Sequence, residues 1–152
     1  MNKKKWEIKE LSPSGTLSDS AKIILPARLE DLLSSIKVYF EKETPENLHS
    51  TRIAVRRLRY SMELFIECFD KKKFTGFYEK IRRIQDLTGS VRDLDVLRQN
   101  ATTLCEEKKI KIPGSFILKI DEKRSASNEN LKLELMKFIH SKNLKEFSRI
   151  IS

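Results

Sequence analysis

Four basic residues recur at helical spacing in the middle of the chain. The segment from His49 to Tyr60 reads His-Ser-Thr-Arg-Ile-Ala-Val-Arg-Arg-Leu-Arg-Tyr. On a helix with about 3.6 residues per turn, one face of this segment carries a basic stripe, made of His49, Arg52, Arg56 and Arg59. Planar guanidinium groups bind phosphate oxygens two at a time. The spacing therefore favours recognition of a phosphate-rich anion.

The basic stripe works against the helix that carries it. Arg52 and Arg56, and likewise Arg56 and Arg59, are like-charge neighbours, and each pair costs about 0.2–0.5 kcal/mol. A bound polyanion would turn this cost into a net stabilisation, because a hydrogen bond to a charged group contributes about 1.5–3 kcal/mol. The alternative is a solvated charged face, in which Glu63 pairs with Arg59 at i,i+4 spacing. This alternative explains Arg59 well but leaves Arg52 and Arg56 unexplained.

Charge and length narrow the classes of function. The chain has 152 residues, enough for one domain, and a net charge of +9 with a pI near 9.6. Such a charge favours polyanionic partners: nucleic acid, polyphosphate or an anionic membrane surface. No apolar run is long enough to span a membrane, and no apolar run follows the basic start, so we expect a cytoplasmic protein. Cys68 and Cys105 lack metal-site spacing and are interpreted as structural.

The elements that position the stripe are all predicted to be helices. Residues 1–25 are ambiguous, whereas residues 26–152 are expected to form an all-α antiparallel bundle of four or more helices. Pro26 is expected in the first turn of a helix ending near residue 42, and Pro45 begins the helix that carries the stripe. A third helix should stop at Gly89 with a left-handed C-cap, and a fourth should follow from Ser90. Later helices are expected over 115–140, interrupted near 125–128, and from about 143. The predicted buried residues are Val55, Leu58, Met62, Phe65 and Phe69 opposite the stripe, and Leu94, Leu97, Ala101 and Leu104 on the fourth helix.

Two motifs in this order resemble the CHAD family of all-helical domains. The first is His49-x-x-Arg52-Ile53-x-x-Arg56-Arg57-Leu58-Arg59, and the second is Gly89-Ser90-Val91-Arg92-Asp93-Leu94-Asp95-Val96. The resemblance implies a domain that binds inorganic polyphosphate without catalysing a reaction. We expect no metal or other cofactor. Carried over by position, it implies that the ligand-binding residues are His49, Arg52, Arg56, Arg57 and Arg59. The charge pattern of this sequence adds Lys80 and Arg83.

The chain departs from the family pattern in two ways. CHAD domains usually contain two similar helical bundles, whereas each motif occurs once here, so the chain is expected to form half of that unit. A symmetric homodimer that restores the missing half is a hypothesis. Thr88 stands where a leucine usually precedes the glycine. Arg92 belongs to the second motif, but a salt bridge to its neighbouring aspartates explains it as well as ligand contact does.

Two other classes of function stay open from the sequence. Phosphate contacts also dominate nucleic-acid binding, although no zinc-finger spacing or aromatic platform for base recognition is present. An enzyme is less favoured, because no nucleophile is spaced with a base and there is no glycine-rich phosphate loop. Glu46-x-x-His49 matches the Glu-x-x-His of di-iron bundles, but such a site needs a second copy and two further glutamates. If polyphosphate is the ligand, association with polyphosphate granules is a further hypothesis.

Overall fold

The protein is an all-α helical bundle. The computed structural model describes Ile8 and residues 10–152, and this part of the chain contains five α-helices, a short 3-10 turn and no strand. The helices are α1 (Leu17–Glu41), α2 (Pro45–Phe65), α3 (Lys71–Lys108), α4 (Gly114–Ile139) and α5 (Lys142–Ile151), with the 3-10 turn at Ile66–Cys68. The predicted fold class is confirmed. Of the amino-terminal segment 1–25, residues 1–7 and 9 lie outside the described residues.

Helix α1 begins at Leu17, well before the predicted start at Pro26. Thr16 caps it, because its side-chain oxygen accepts a hydrogen bond from the backbone N–H of Asp19 at 3.1 Å. Pro26 therefore lies inside the helix, where a proline costs about 3 kcal/mol. Leu25 and Leu29 on either side of it are buried in the core, and burying a leucine side chain contributes about 1.5–3 kcal/mol. Their burial offsets the cost of the proline.

Helix α3 runs without a break through Gly89, so the predicted end and restart at this position are wrong. No described glycine has a positive φ, and the Ser90 hydroxyl donates to the helix backbone instead of capping a new helix. Thr88 and Val91 are fully buried, and the Thr88 hydroxyl also donates to the helix backbone. A glycine inside a helix costs about 0.5–1 kcal/mol. Two helix ends here would instead leave several backbone groups without partners beside the core.

Helix α4 is continuous across residues 125–128, where the sequence predicts an interruption. The polar run is tolerated because Asn128 is buried with its hydrogen bonds satisfied. Its side-chain oxygen accepts from the Tyr39 hydroxyl, and its amide nitrogen donates to Glu43 at 3.0 Å. Ser141 caps α5, its side-chain oxygen accepting from Leu144 N at 3.2 Å.

The core is formed by the inner faces of all five helices. On α2 the predicted buried residues Val55, Leu58, Met62 and Phe65 are buried. Phe69 lies beyond the end of α2, is partly buried and stacks on Phe74. Helix α5 closes the core by stacking Phe147 on Phe77, with ring centroids 3.8 Å apart. Cys68 and Cys105 are free thiols, both partly buried.

The carboxyl-terminal part of α3 is less covered than the sequence predicts. Ala101 is buried and Leu94 is partly buried, but Leu97 and Leu104 are 44% and 46% exposed. The reason is length: α3 has 38 residues and α2 has 21. At a rise of about 1.5 Å per residue, α3 extends well past the end of the helix beside it.

None of the helices in the described residues combines the length and the apolar character that a membrane crossing requires.

Candidate functional site

The basic stripe lies along the boundary between α2 and α3. The Nη2 atom of Arg52 lies 3.9 Å from the position that a Cβ on Gly89 would occupy. Nearer the end of α2, Arg59 Nε donates to the Tyr78 hydroxyl at 3.1 Å. The two helices are therefore antiparallel: a residue early in α2 meets the middle of α3, and a residue late in α2 meets the first part of α3. This register places the motif that begins at His49 beside the motif that begins at Gly89.

Arg59 is held by groups of the same molecule. Its Nε donates to Glu63 at 3.0 Å as well as to Tyr78, and the Tyr78 hydroxyl donates to Glu63 at 2.7 Å. The hydrogen bond to Tyr78, and then that to Glu63, hold the pKa of Arg59 above its ordinary value. Its guanidinium also lies over the ring of Tyr60, 5.8 Å from the centroid. The pairing that the sequence suggested for Arg59 is therefore present.

Arg52 and Arg56 have no such partners. In the described part of the chain, neither guanidinium forms an ion pair with a carboxylate. Arg52 is half-buried, and its Nε is buried without a hydrogen-bond partner among the described residues. Arg56 is exposed, 5.9 Å from the centroid of the Tyr60 ring. A buried donor left unpaired costs about 1–3 kcal/mol, so Arg52 has an unmet need for an acceptor.

At the start of α2 the stripe opens into a groove, which we call the His49 groove. Its α2 side carries His49, and its α3 side carries Arg92, which forms no ion pair among the described residues, so the suggested salt bridge to Asp93 or Asp95 is not observed. Sequence reasoning missed most of its other members, because a helix ending at Gly89 would have directed the following residues elsewhere. The groove, with a volume of about 720 Å³, is lined by Pro45, Glu46, His49, Ser50, Arg92, Asp95, Arg98, Gln99, Thr102 and Thr103.

Arg82 is a further basic residue on the α3 face beside the stripe, and it was not predicted from the sequence. It stands four residues after Tyr78 and seven before Gly89 on α3, so it shares their face, which meets the stripe. Its side chain is exposed, and its nearest carboxylate is Glu79 at 3.9 Å. Its spacing of seven residues from Gly89 could have placed Arg82 on this face from the sequence, but only if residues 71–108 had been predicted to form one helix.

Arg57 faces away from the stripe. It follows Arg56 by one residue, about 100° around the helix. It lines a pocket on the other side of α2 with Asp31 and Ser35 of α1. The structure therefore does not bring Arg57 together with Arg52 and Arg56.

Lys80 and Arg83 also lie apart from the stripe. They line a groove between α3 and α4 together with Lys137. Arg83 Nε is 3.4 Å from Glu134, and the same carboxylate group pairs with Lys137 at 3.2 Å. The sequence-predicted set is thus divided among three surfaces, of which the α2–α3 boundary holds His49, Arg52, Arg56 and Arg59.

A polar cluster joins the His49 groove to α4. Asp95 accepts a hydrogen bond from Arg124 Nε at 2.8 Å, and this bond holds the pKa of Arg124 above its ordinary value. Burial raises the pKa of Tyr39, which lies beside Arg124. Lys132 and Glu43 pair at 2.8 Å at the end of α1. The cluster connects α1, α3 and α4, and Asp95 Oδ2 is buried without a hydrogen-bond partner among the described residues.

In the part of the chain that the structure describes, no three His, Cys, Asp or Glu side chains are arranged to hold a metal ion. The match to Glu-x-x-His at residues 46–49 is therefore not part of such a group there. The chemistry that the described groove offers is hydrogen bonding and charge, from guanidinium, imidazole, hydroxyl, amide and carboxylate groups.

Comparison with known protein families matches residues 3–108 to the CHAD domain. No curated protein and no solved structure matches the chain. The matched region contains both motifs, the one that begins at His49 and the one that begins at Gly89, and it ends with α3. CHAD domains are associated with polyphosphate binding and are generally binding domains and not catalysts. The chain belongs to the CHAD domain family.

Proposed function

We propose that this protein binds inorganic polyphosphate, without catalysing a reaction, along the α2–α3 boundary and into the His49 groove. The observation that carries the proposal is the state of Arg52 and Arg56. Both guanidiniums lack a carboxylate partner among the described residues, and the Nε of Arg52 is buried without an acceptor. A linear polyanion supplies acceptors at intervals along the stripe.

The roles of the stripe residues differ in this proposal. Arg52 and Arg56 hold phosphate directly, and His49 and Arg92 continue the path into the groove. Arg59 contributes less, because Glu63 already compensates its charge. Arg57, Lys80 and Arg83 stay candidates for separate contacts of a long chain, since each lines a different surface.

Titration with three ligands tests the function. The purified protein is titrated with polyphosphate, a DNA duplex and ATP at two salt concentrations. We expect polyphosphate to bind most tightly and its affinity to fall as salt rises, because binding releases counterions. A bound oligonucleotide that polyphosphate fails to displace at equal phosphate concentration would favour the nucleic-acid alternative.

The variant R52A/R56A tests the site. Each lost charge-assisted hydrogen bond is worth about 1.5–3 kcal/mol, so we expect the Kd for polyphosphate to rise by about 100-fold or more. The free energy of unfolding should stay the same or rise slightly, because the variant removes a like-charge pair. Isothermal titration calorimetry and urea unfolding measure the two quantities.

The matched control for this variant is K142A/K145A on α5, which removes the same charge from two exposed lysines. It should weaken binding only slightly, through the lower net charge. Equal losses in the two double variants would show that total charge, and not the stripe, determines affinity.

The proposal includes two further expectations from the sequence. A binding protein for this polymer is expected in the cytoplasm, where association with polyphosphate granules follows from the ligand itself. A homodimer would place two stripes on one particle.

A further inference from the structure

The His49 groove contains two carboxylates, which an anion-binding surface would be expected to exclude. Glu46 is exposed to solvent and forms no ion pair among the described residues, whereas the side chain of Asp95 is buried. Asp95 lines the groove together with His49 and Arg92. Its side chain is only 8% exposed, and its Oδ2 atom is buried without a hydrogen-bond partner among the described residues. A carboxylate in this position repels phosphate unless another group compensates its charge.

The compensating group comes from α4. Arg124 Nε donates to Asp95 Oδ1 at 2.8 Å, and the Arg124 side chain is 23% exposed. Arg124 lies beyond residues 3–108, the region that matches the CHAD domain. The match therefore includes the carboxylate but not the arginine that neutralises it.

We propose that Arg124 is a charge-compensating residue of the His49 groove: it neutralises Asp95 and so admits a polyanion beside His49 and Arg92. This inference rests on the proposed polyphosphate-binding function. Arg124 acts through Asp95 and need not touch the ligand. Helix α4 thereby becomes part of the binding site, although the two sequence motifs lie on α2 and α3.

The alternative explanation is that the pair only fastens α4 to α3. The two explanations predict different changes in polyphosphate affinity when Asp95 or Arg124 is replaced. If the pair only holds the helices together, removing either partner weakens the fold, and any effect on binding has the same direction in both variants. If the pair sets the charge of the groove, removing Arg124 weakens binding and removing the charge of Asp95 strengthens it.

The experiment measures polyphosphate affinity for the full chain and three variants: R124Q, D95N and D95N/R124Q. A unit charge about 8 Å from the ligand, at an effective dielectric constant of about 40, corresponds to about a five-fold change in Kd. We expect R124Q to bind about five-fold more weakly, D95N about five-fold more tightly, and the double variant close to the wild type. The melting temperature of each variant is measured alongside.

The control is E146Q on α5, which removes one negative charge from an exposed glutamate that forms no ion pair among the described residues. It should tighten binding much less than D95N does. Equal effects of E146Q and D95N would overturn the inference, because net charge alone would then explain both.

Further outcomes are decisive. D95N with unchanged or weaker affinity overturns the inference, and this holds even if R124Q fails to fold. Folded R124Q with wild-type affinity overturns it as well. Wild-type protein that does not bind polyphosphate refutes the proposed function itself, whereas binding by the wild type with no response to D95N refutes only the role of Arg124.

Discussion

Arg52 and Arg59 belong to the same stripe, yet their surroundings differ. Arg59 shares a closed set of hydrogen bonds with Glu63 and Tyr78, whereas Arg52 meets the bare backbone of Gly89. A glycine beside Arg52 leaves room at its guanidinium, at a cost of about 0.5–1 kcal/mol to the helix that contains it. We interpret the glycine as keeping the Arg52 guanidinium accessible to the ligand.

The variant G89A tests this interpretation at the residue scale. An alanine Cβ would meet only Arg52 Nη2, at 3.9 Å, which is ordinary van der Waals contact. The free energy of unfolding should therefore rise by about 0.5–1 kcal/mol. Polyphosphate affinity should fall, because the methyl group occupies space beside the guanidinium. Urea unfolding and calorimetric titration measure the two effects.

Gly76 supplies the matched control on the same helix. A Cβ there has nothing within 4 Å, so G76A should gain similar stability without changing affinity. Loss of stability in G89A, or equal affinity in both variants, would show that Gly89 has no special relation to the site.

At the scale of elements, the end of α1 is joined to α4 by side chains. Asn128 bonds to both Tyr39 and Glu43, and Lys132 pairs with Glu43 at 2.8 Å. These contacts act between two helices that are distant in sequence. They position α4, and with it Arg124, against the groove.

The contacts of Glu43 between α1 and α4 should stabilise the protein less at acidic pH. The hydrogen bond from Lys132, and then that from Asn128, hold the pKa of Glu43 below its ordinary value of 4.5. Its stabilising contribution is therefore complete above about pH 4.5 and is lost as pH falls through the lowered folded-state pKa. Because Glu43 is 35% exposed, we expect the contribution to be at most about 1 kcal/mol. Urea unfolding at a series of pH values measures it.

The variant E43Q should be less stable than the wild type at pH 7, with a smaller loss of stability below pH 4.5. The neighbouring E41Q is the control, because Glu41 is exposed and forms no ion pair among the described residues. Identical pH profiles for E43Q and the wild type would contradict the role given to Glu43.

At the scale of the whole molecule, the chain carries one copy of each CHAD motif on one bundle. The resemblance implies a unit of two bundles, so we propose a symmetric homodimer. Light scattering at micromolar concentration should then give about twice the chain mass of 17.8 kDa. A monomer mass at that concentration would contradict the dimer, without affecting the ligand that one chain binds.

The sequence alone predicted the fold class, the family and the buried face of α2. These depend on local periodicity, since apolar and basic residues at helical spacing specify which side of a helix is buried and which is open. The buried positions Val55, Leu58, Met62 and Phe65 follow from this rule. So does the pairing of Arg59 with Glu63, because i,i+4 neighbours on a helix are always close.

Tertiary structure decided where helices continue and which charges share a surface. By local preference Pro26 begins a helix and Gly89 ends one, but burial of their neighbours outweighs these preferences, which amount to about 0.5–3 kcal/mol. The assignment of Arg57 to one side and Arg92 to the other depends on which helix packs against each face of α2. The pairing of Asp95 with Arg124 joins residues that only the packing of α4 on α3 brings together. Local spacing cannot specify such contacts, because they depend on the register between helices.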